Sequence, residues 1–168
     1  MRKFDIGLLK NSVELKPKLI SVLTRADNDF FPPLSSRLDF DKYADKILSS
    51  AFLIGASDSS AETETTPSIP NFLHALYIGY ADVVNYEYAF SSFMWVDPEY
   101  RTFFLGYRMH DCAKRYVRSL NMKGIRAKTW REGNEKTLLF WKNLGYKCSE
   151  PVYNPTLKRH EVNIELTF

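Results

Sequence analysis

A single α/β domain is the fold class that this chain predicts, on three observations. An aromatic-rich strand pattern, Tyr88–Val96, is stopped by Pro98 and followed by an amphipathic run to Met122. A second apolar strand pattern, residues 125–130, is again followed by a helix, opened by Asn134 and closed by Gly145. At 168 residues, 45% hydrophobic and 26% charged, the chain is long enough to bury a substantial core and has the balance of a globular protein.

The first strand runs into the turn Val96-Asp97-Pro98-Glu99-Tyr100-Arg101. Met109, Cys112, Ala113, Tyr116, Val117 and Leu120 then recur at three- and four-residue intervals, with Arg108, Lys114, Arg115 and Arg118 on the other face. That spacing predicts a helix, and Asn121 and Gly124 bracket its end. The N–H groups of residues 102–107 at its start point back toward the end of the strand, where geometry and dipole favour an anion. An ordinary strand-to-helix turn with a solvated arginine fits the same residues, because the turn is not glycine-rich. In the later helix, Leu138, Trp141 and Leu144 line the expected buried face, and Gly145 takes the left-handed position that ends it. Taken singly, these are caps and core residues.

Taken together, the two segments resemble the GCN5-related N-acetyltransferase (GNAT) superfamily. The family motif V-x-P-x-x-R followed by x-x-G-x-G/A is matched by Val96, Pro98, Arg101 and Gly106, and the later motif N-x-x-A-x-x-F-Y-x-x-L-G-F by Asn134, Phe140, Leu144, Gly145 and Tyr146. The resemblance extends over the chain in element order. Residues 4–9 read as a strand, 18–26 and 40–48 as two helices, 51–56 as a second strand and 73–83 as a third, with Ile78-Gly79-Tyr80-Ala81 in place of the family's V-G-F/Y-A step. The fold implied is a central, mostly antiparallel sheet, splayed at the cofactor site and flanked by helices.

What the resemblance implies for function is transfer of an acetyl group from acetyl-CoA to a primary amine. Backbone groups of Met94, Trp95 and Val96 would bond the pantetheine arm as an added strand would, and Arg101, Thr102, Phe103, Phe104, Leu105, Gly106 and Tyr107 would surround the pyrophosphate. Asn134 and Trp141 complete the implied cofactor-binding set. The acceptor is a small-molecule or peptide amine. It must be neutral to attack, so a base or a water chain takes its proton. Glu87, Tyr88 and Ser92 lie near the right strand, with Tyr88 and Ser92 on one face by alternation; Tyr88 and Ser92 are the catalytic candidates. The family also admits a homodimer.

Two residues depart from the pattern. Phe104 stands where the family has a glycine that lets the backbone close around the pyrophosphate, so its side chain must turn outward or the loop must be wider. Trp141 stands where many members keep a tyrosine that protonates the leaving thiolate; an indole N–H has no accessible acidity, and this ring is expected to pack.

Charge is unevenly divided. Residues 1–100 carry 9 Lys+Arg against 14 Asp+Glu, and residues 101–168 carry 14 against 6. The basic half is the one expected to meet the donor's phosphates, with Arg101, Arg108 and Lys136 as candidate neighbours. A nucleic-acid or partner-binding module on a degenerate scaffold, or a CoA-binding regulator without turnover, is the alternative. Nucleic acid is not the expected partner, because the basic residues are not interleaved with aromatics in a stripe.

Cys112 and Cys148 make no disulfide framework, and neither has a partner at metal-ligand spacing, so no metal is expected. His110-Asp111-Cys112 are helix neighbours that point in different directions, which removes them as a triad. No apolar run reaches membrane-spanning length and the first residues lack a secretion signal's apolar core, so a cytoplasmic protein without membrane partners is expected. Residues 57–70 are expected to be a mobile loop, and residues 27–34, with Pro32 and Pro33, a loop that the resemblance places over the acceptor site.

Overall fold

The computed structural model describes residues 3–59 and 72–168. They form two compact units: Met1–Gly79 with Phe93–Ala113, and Tyr80–Ser92 with Lys114–Phe168. The first unit holds strand β1 (Phe4–Leu8), helices α1 (Lys16–Ala26) and α2 (Phe40–Ser50), and strands β2 (Phe52–Asp58) and β3 (Ala75–Tyr80). It also holds the C-terminal part of β4 (Tyr88–Val96), the 3-10 turn Pro98–Phe103 and the start of α3 (Leu105–Ser119).

In this unit β1 pairs antiparallel with β2, from Phe4↔Asp58 to Leu8↔Ile54, and β2 with β3, from Phe52↔Gly79 to Ala56↔Ala75. Successive side chains of a strand point to opposite faces. Since Phe52–Ala56 and Ala75–Gly79 are buried without alternation, both faces of β2 and β3 are covered. The helices supply Leu19, Val22, Leu23, Ala44 and Ile47 to the same core. Ser57 and Asp58, expected in a mobile loop, are ladder residues of β2; residues 60–70 of that expected loop lie outside the described residues.

The second unit holds the first part of β4, the end of α3, strand β5 (Gly124–Trp130), helix α4 (Glu135–Asn143) and strands β6 (Lys147–Cys148), β7 (Val152–Asn154) and β8 (Arg159–Thr167). Here β4 and β5 pair parallel, from Tyr88↔Gly124 to Ser91↔Ala127, and β8 pairs antiparallel with β5, β6 and β7. A parallel pair needs a crossover, which α3 provides. Gly124 is required by close approach: a Cβ there would run into the carbonyl of Leu166 on β8. The strand order is β1-β2-β3-β4-β5-β8-β6, with β7 also on β8, an open mixed sheet of eight strands.

Among the described residues no helix is long and apolar enough to cross a membrane. The third strand ends at Tyr80, and Asp82 starts a turn by accepting from the N–H groups of Val84 and Asn85, so the expected extension to residue 83 is not made. The expected face of α3 is realised, with Met109, Ala113 and Val117 buried and Cys112 only half-buried. His110 is buried too.

Candidate functional site

The end of β4, the turn after it and the first turn of α3 form one contiguous stretch of the first unit. Burial alternates along β4, with Phe93 and Trp95 inside and Met94 and Val96 half-buried on the opposite face. Asp97 caps the 3-10 turn by accepting from the Glu99 N–H at 3.3 Å, and Pro98 occupies its first position, where no N–H is needed. The inside of the turn is aromatic. Tyr100 is buried, stacks on His74 at 4.0 Å between centroids and stands edge-on to Phe4, which in turn packs against Phe103.

Phe104 ends the turn with φ 57 and ψ 23, the left-handed conformation that glycine favours. Its ring is 69% exposed, so the side chain lies in solvent and not inside the turn. The carbonyl of Phe104 accepts from Arg108 N–H at 3.1 Å, which makes Phe104 the residue that starts α3. The N–H groups of Leu105 and Gly106 therefore have no carbonyl one turn back within the helix. Thr102 and Phe103, expected in that first helical turn, sit instead in the 3-10 segment.

Two arginine pairs tie this turn to the end of α1 and to the loop that follows it. Arg101 donates from Nε to the Val96 carbonyl at 3.0 Å and from Nη2 to Asp29 Oδ2 at 2.6 Å, and the same oxygen accepts from Trp95 Nε1 at 2.7 Å. Arg25, in the last turn of α1, donates to Asp97 Oδ2 at 2.6 Å and to the Leu73 carbonyl, with its guanidinium over the ring of Phe72. Phe30 stacks on Phe93 at 5.3 Å. Ser35 donates from its N–H and its hydroxyl to Asp27, which lowers that carboxyl's pKa and closes the loop on itself. Arg108, a candidate phosphate neighbour, reaches the Phe4 carbonyl at 3.4 Å.

The remaining expected residues lie in the second unit. Tyr88 packs under the guanidinium of Arg126, 3.9 Å from its ring centroid, and its hydroxyl lies 3.3 Å from Thr167 Oγ1. Glu87 is paired with Lys123. Ser92 shares the face of Tyr88, but at about 3.3 Å per residue the two stand roughly 13 Å apart along the strand, so they do not converge on one atom.

Asn134 precedes α4, yet its side chain makes no cap; Nδ2 donates to Thr129 Oγ1 at 3.3 Å. Trp141 is the buried residue of α4, edge-on to Tyr146 at 4.9 Å, whereas Leu138 and Leu144 are half-buried. Gly145 ends the helix at φ +90. Lys136 is exposed. Glu132, in the loop before α4, accepts from the N–H of His160 and contacts its Nδ1 at 2.5 Å; the bond to His160 holds this carboxyl down to about 2.

Sequence reasoning missed the roles of Asp29, Arg25 and His74. Asp29 lies 72 positions from Arg101, and no local pattern announces such a pair. It also left β6, β7 and β8 unassigned, although Val162, Ile164 and Leu166 alternate as a strand would. Among the described residues no three His, Cys, Asp or Glu side chains are grouped to hold a metal ion.

No protein-family model and no curated protein matches the chain, but solved structures do. A candidate GNAT-family acetyltransferase from Desulfovibrio desulfuricans superposes with a TM-score of 0.74 at 12% identity, over 98% of this chain and 99% of that one. The ribosomal-protein-S18-alanine N-acetyltransferase of Escherichia coli gives 0.70 at 12% identity, over 98% and 94%. A candidate streptothricin acetyltransferase from Bacillus anthracis, in complex with acetyl coenzyme A, gives 0.55 at 20% identity, over 71% of this chain and 64% of that one. At such identities the likeness is one of architecture. The fold of this chain is that of the GNAT superfamily.

Proposed function

We propose that the protein is an N-acetyltransferase that moves an acetyl group directly from acetyl-CoA to a primary amine of a small molecule or peptide. The observation that carries this reading is Phe104. At the position of the motif's glycine, immediately before α3, a phenylalanine adopts the left-handed backbone that glycine favours, with its ring in solvent. This backbone supports reading the turn as an anion cradle, with the free N–H groups of Leu105 and Gly106 following it.

Acetyl-CoA supplies an activated acyl thioester. In this reading the N–H groups of Leu105 and Gly106 hold the pyrophosphate with Arg101 beside them, in the stretch from Thr102 through Phe103 and Phe104 to Tyr107. The backbone of Met94, Trp95 and Val96 offers strand-type bonds to the pantetheine arm, for the ladder with β5 spans only Tyr88 to Ser91. The acceptor nitrogen bonds the acyl carbon, the carbon–sulfur bond breaks, the amine's proton leaves to a base, and the thiolate takes a proton from solvent because indole cannot give one. Of the two catalytic candidates, Ser92 is exposed on β4, whereas the ring and hydroxyl of Tyr88 are engaged by Arg126 and Thr167.

Calorimetry with acetyl-CoA, followed by release of free thiol in the presence of a panel of amines, tests the reading. Saturable binding and thiol release with at least one amine are expected. No binding to any acyl-CoA overturns it. Binding without release to any amine favours the second reading, a CoA-sensing module, which the loss of an acidic residue at Trp141 supports. Submicromolar affinity for mixed nucleic acid with a steep salt slope would instead mark a nucleic-acid module.

A further inference from the structure

We infer that Asp29 is an internal competitor for the anionic end of the donor: its carboxylate occupies Arg101 while the turn is empty and gives up the guanidinium when phosphates arrive. This rests on the acyl-CoA reading of the turn. Arg101 is anchored through Nε on the Val96 carbonyl, which fixes the plane of its fork at the end of β4. One of its two terminal nitrogens, Nη2, is spent on Asp29.

Both partners of the pair are partly solvated, with side-chain exposures of 52% and 36%, so the pair is cheap to open. A ligand with several phosphate charges outcompetes one carboxylate for a guanidinium, since it brings more negative charge and can bond bidentately, whereas Asp29 accepts from Nη2 alone. Asp29 does not leave when Arg101 does, because Trp95 Nε1 donates to the same oxygen and holds the carboxylate in place. The bound state then keeps a negative charge beside an incoming anion. The charge of Asp29 therefore weakens binding twice, by occupying Arg101 and by repelling the ligand. Linkage makes the effect reciprocal: a ligand that takes Arg101 removes one tie of the α1–α2 loop, leaving it held through Trp95, through Phe30 on Phe93 and through Asp27 on Ser35.

The test is the affinity of the full chain for acetyl-CoA by calorimetry. Asp29→Asn keeps an acceptor for Trp95 and Arg101 but removes the charge. It should bind roughly two- to fivefold more tightly than wild type, with the gain shrinking as salt rises. Glu99→Gln removes an equal charge from the neighbouring turn without touching the hydrogen bonds of Arg101, and should gain less. In an Arg101→Gln background, Asp29→Asn should lose most of its gain, because there is no guanidinium to free. Amide exchange over residues 28–31 should quicken on ligand binding in wild type.

Equal affinity of Asp29→Asn and wild type overturns the inference, as does weaker binding or an equal gain in Glu99→Gln. If acetyl-CoA binds none of these proteins, the functional reading falls and this inference with it. Binding to wild type and Asp29→Asn with equal affinity removes only the role of Asp29.

Discussion

The turn that opens α3 and the helix α4 each carry one aromatic residue where the superfamily motif has something else, and they answer the change in opposite ways. At the turn, Phe104 adopts φ 57, a backbone that glycine favours, and leaves its ring in solvent. In α4, the ring of Trp141 is buried edge-on to Tyr146, and where the motif has an ionisable tyrosine it offers no acidic proton. A backbone conformation is open to any L-residue at a cost of about 1 kcal/mol in the left-handed region. Acidity at a given atom belongs to the functional group, and no packing gives it to an indole. A site built from backbone N–H groups thus tolerates a change of residue that a site built from one side-chain proton does not.

The largest effect should come from α4. Trp141→Ala should destabilise the protein by roughly 3–5 kcal/mol through the cavity left beside Tyr146, measured by denaturant unfolding. Trp141→Phe, which keeps most of the ring, should fold normally and turn over within about tenfold of wild type, since no proton donor is lost. A folded Phe variant a thousandfold slower would show that the indole takes part in the chemistry and would erase the contrast with the turn.

At the turn, Gly106→Glu should abolish acetyl-CoA binding by placing a side chain and a negative charge at the start of α3. In a thermal melt it should lose the ligand-dependent stabilisation, about 2.7 kcal/mol at a hundred times the wild-type dissociation constant. Retained ligand stabilisation in this variant would place the donor elsewhere.

A smaller, opposite effect is expected of Phe104→Gly. Relief of the left-handed strain should raise stability by about 0.5–1 kcal/mol, offset in part by glycine's freer unfolded chain. Binding of acetyl-CoA should be at least as tight as in wild type. A clear loss of stability would mean that the exposed ring, 6.2 Å from Tyr107 between centroids, contributes more than its backbone costs.

The smallest effect concerns the loop before α4. His160 holds the Glu132 carboxyl down to about 2, so the contact contributes stability above the usual carboxylate range that is lost as pH falls toward 2. His160→Gln should return the Glu132 titration toward an ordinary carboxylate, as read from its side-chain carbon shift in NMR. An unmoved titration would assign the depression to the backbone N–H bonds alone.

Much of the path to the site was legible because it is local. Aromatic content and Pro98 delimit Tyr88–Val96 as observed, and three- and four-residue spacing gives the buried Met109, Ala113 and Val117 of α3. Gly145 was readable as a left-handed stop for the same reason. The short strands β6 and β7 were not, for two or three residues carry no period and are strands only because β8 pairs with them.

The sequence by itself determined the elements around the turn, the absence of an acid at Trp141 and the conflict at Phe104, since each depends on a residue and its near neighbours. Only the tertiary structure decided how the conflict is resolved and what the charged residues touch. Tyr100 is held by His74 and Phe4, and at the end of the same turn Phe104 stands in the left-handed region. Arg101 finds Asp29, and Arg25 finds Asp97, each across 72 positions. Periodicity records which face of an element is apolar. The partner of a charge is set by where two distant segments meet, and one chain's residue order holds no local trace of that meeting.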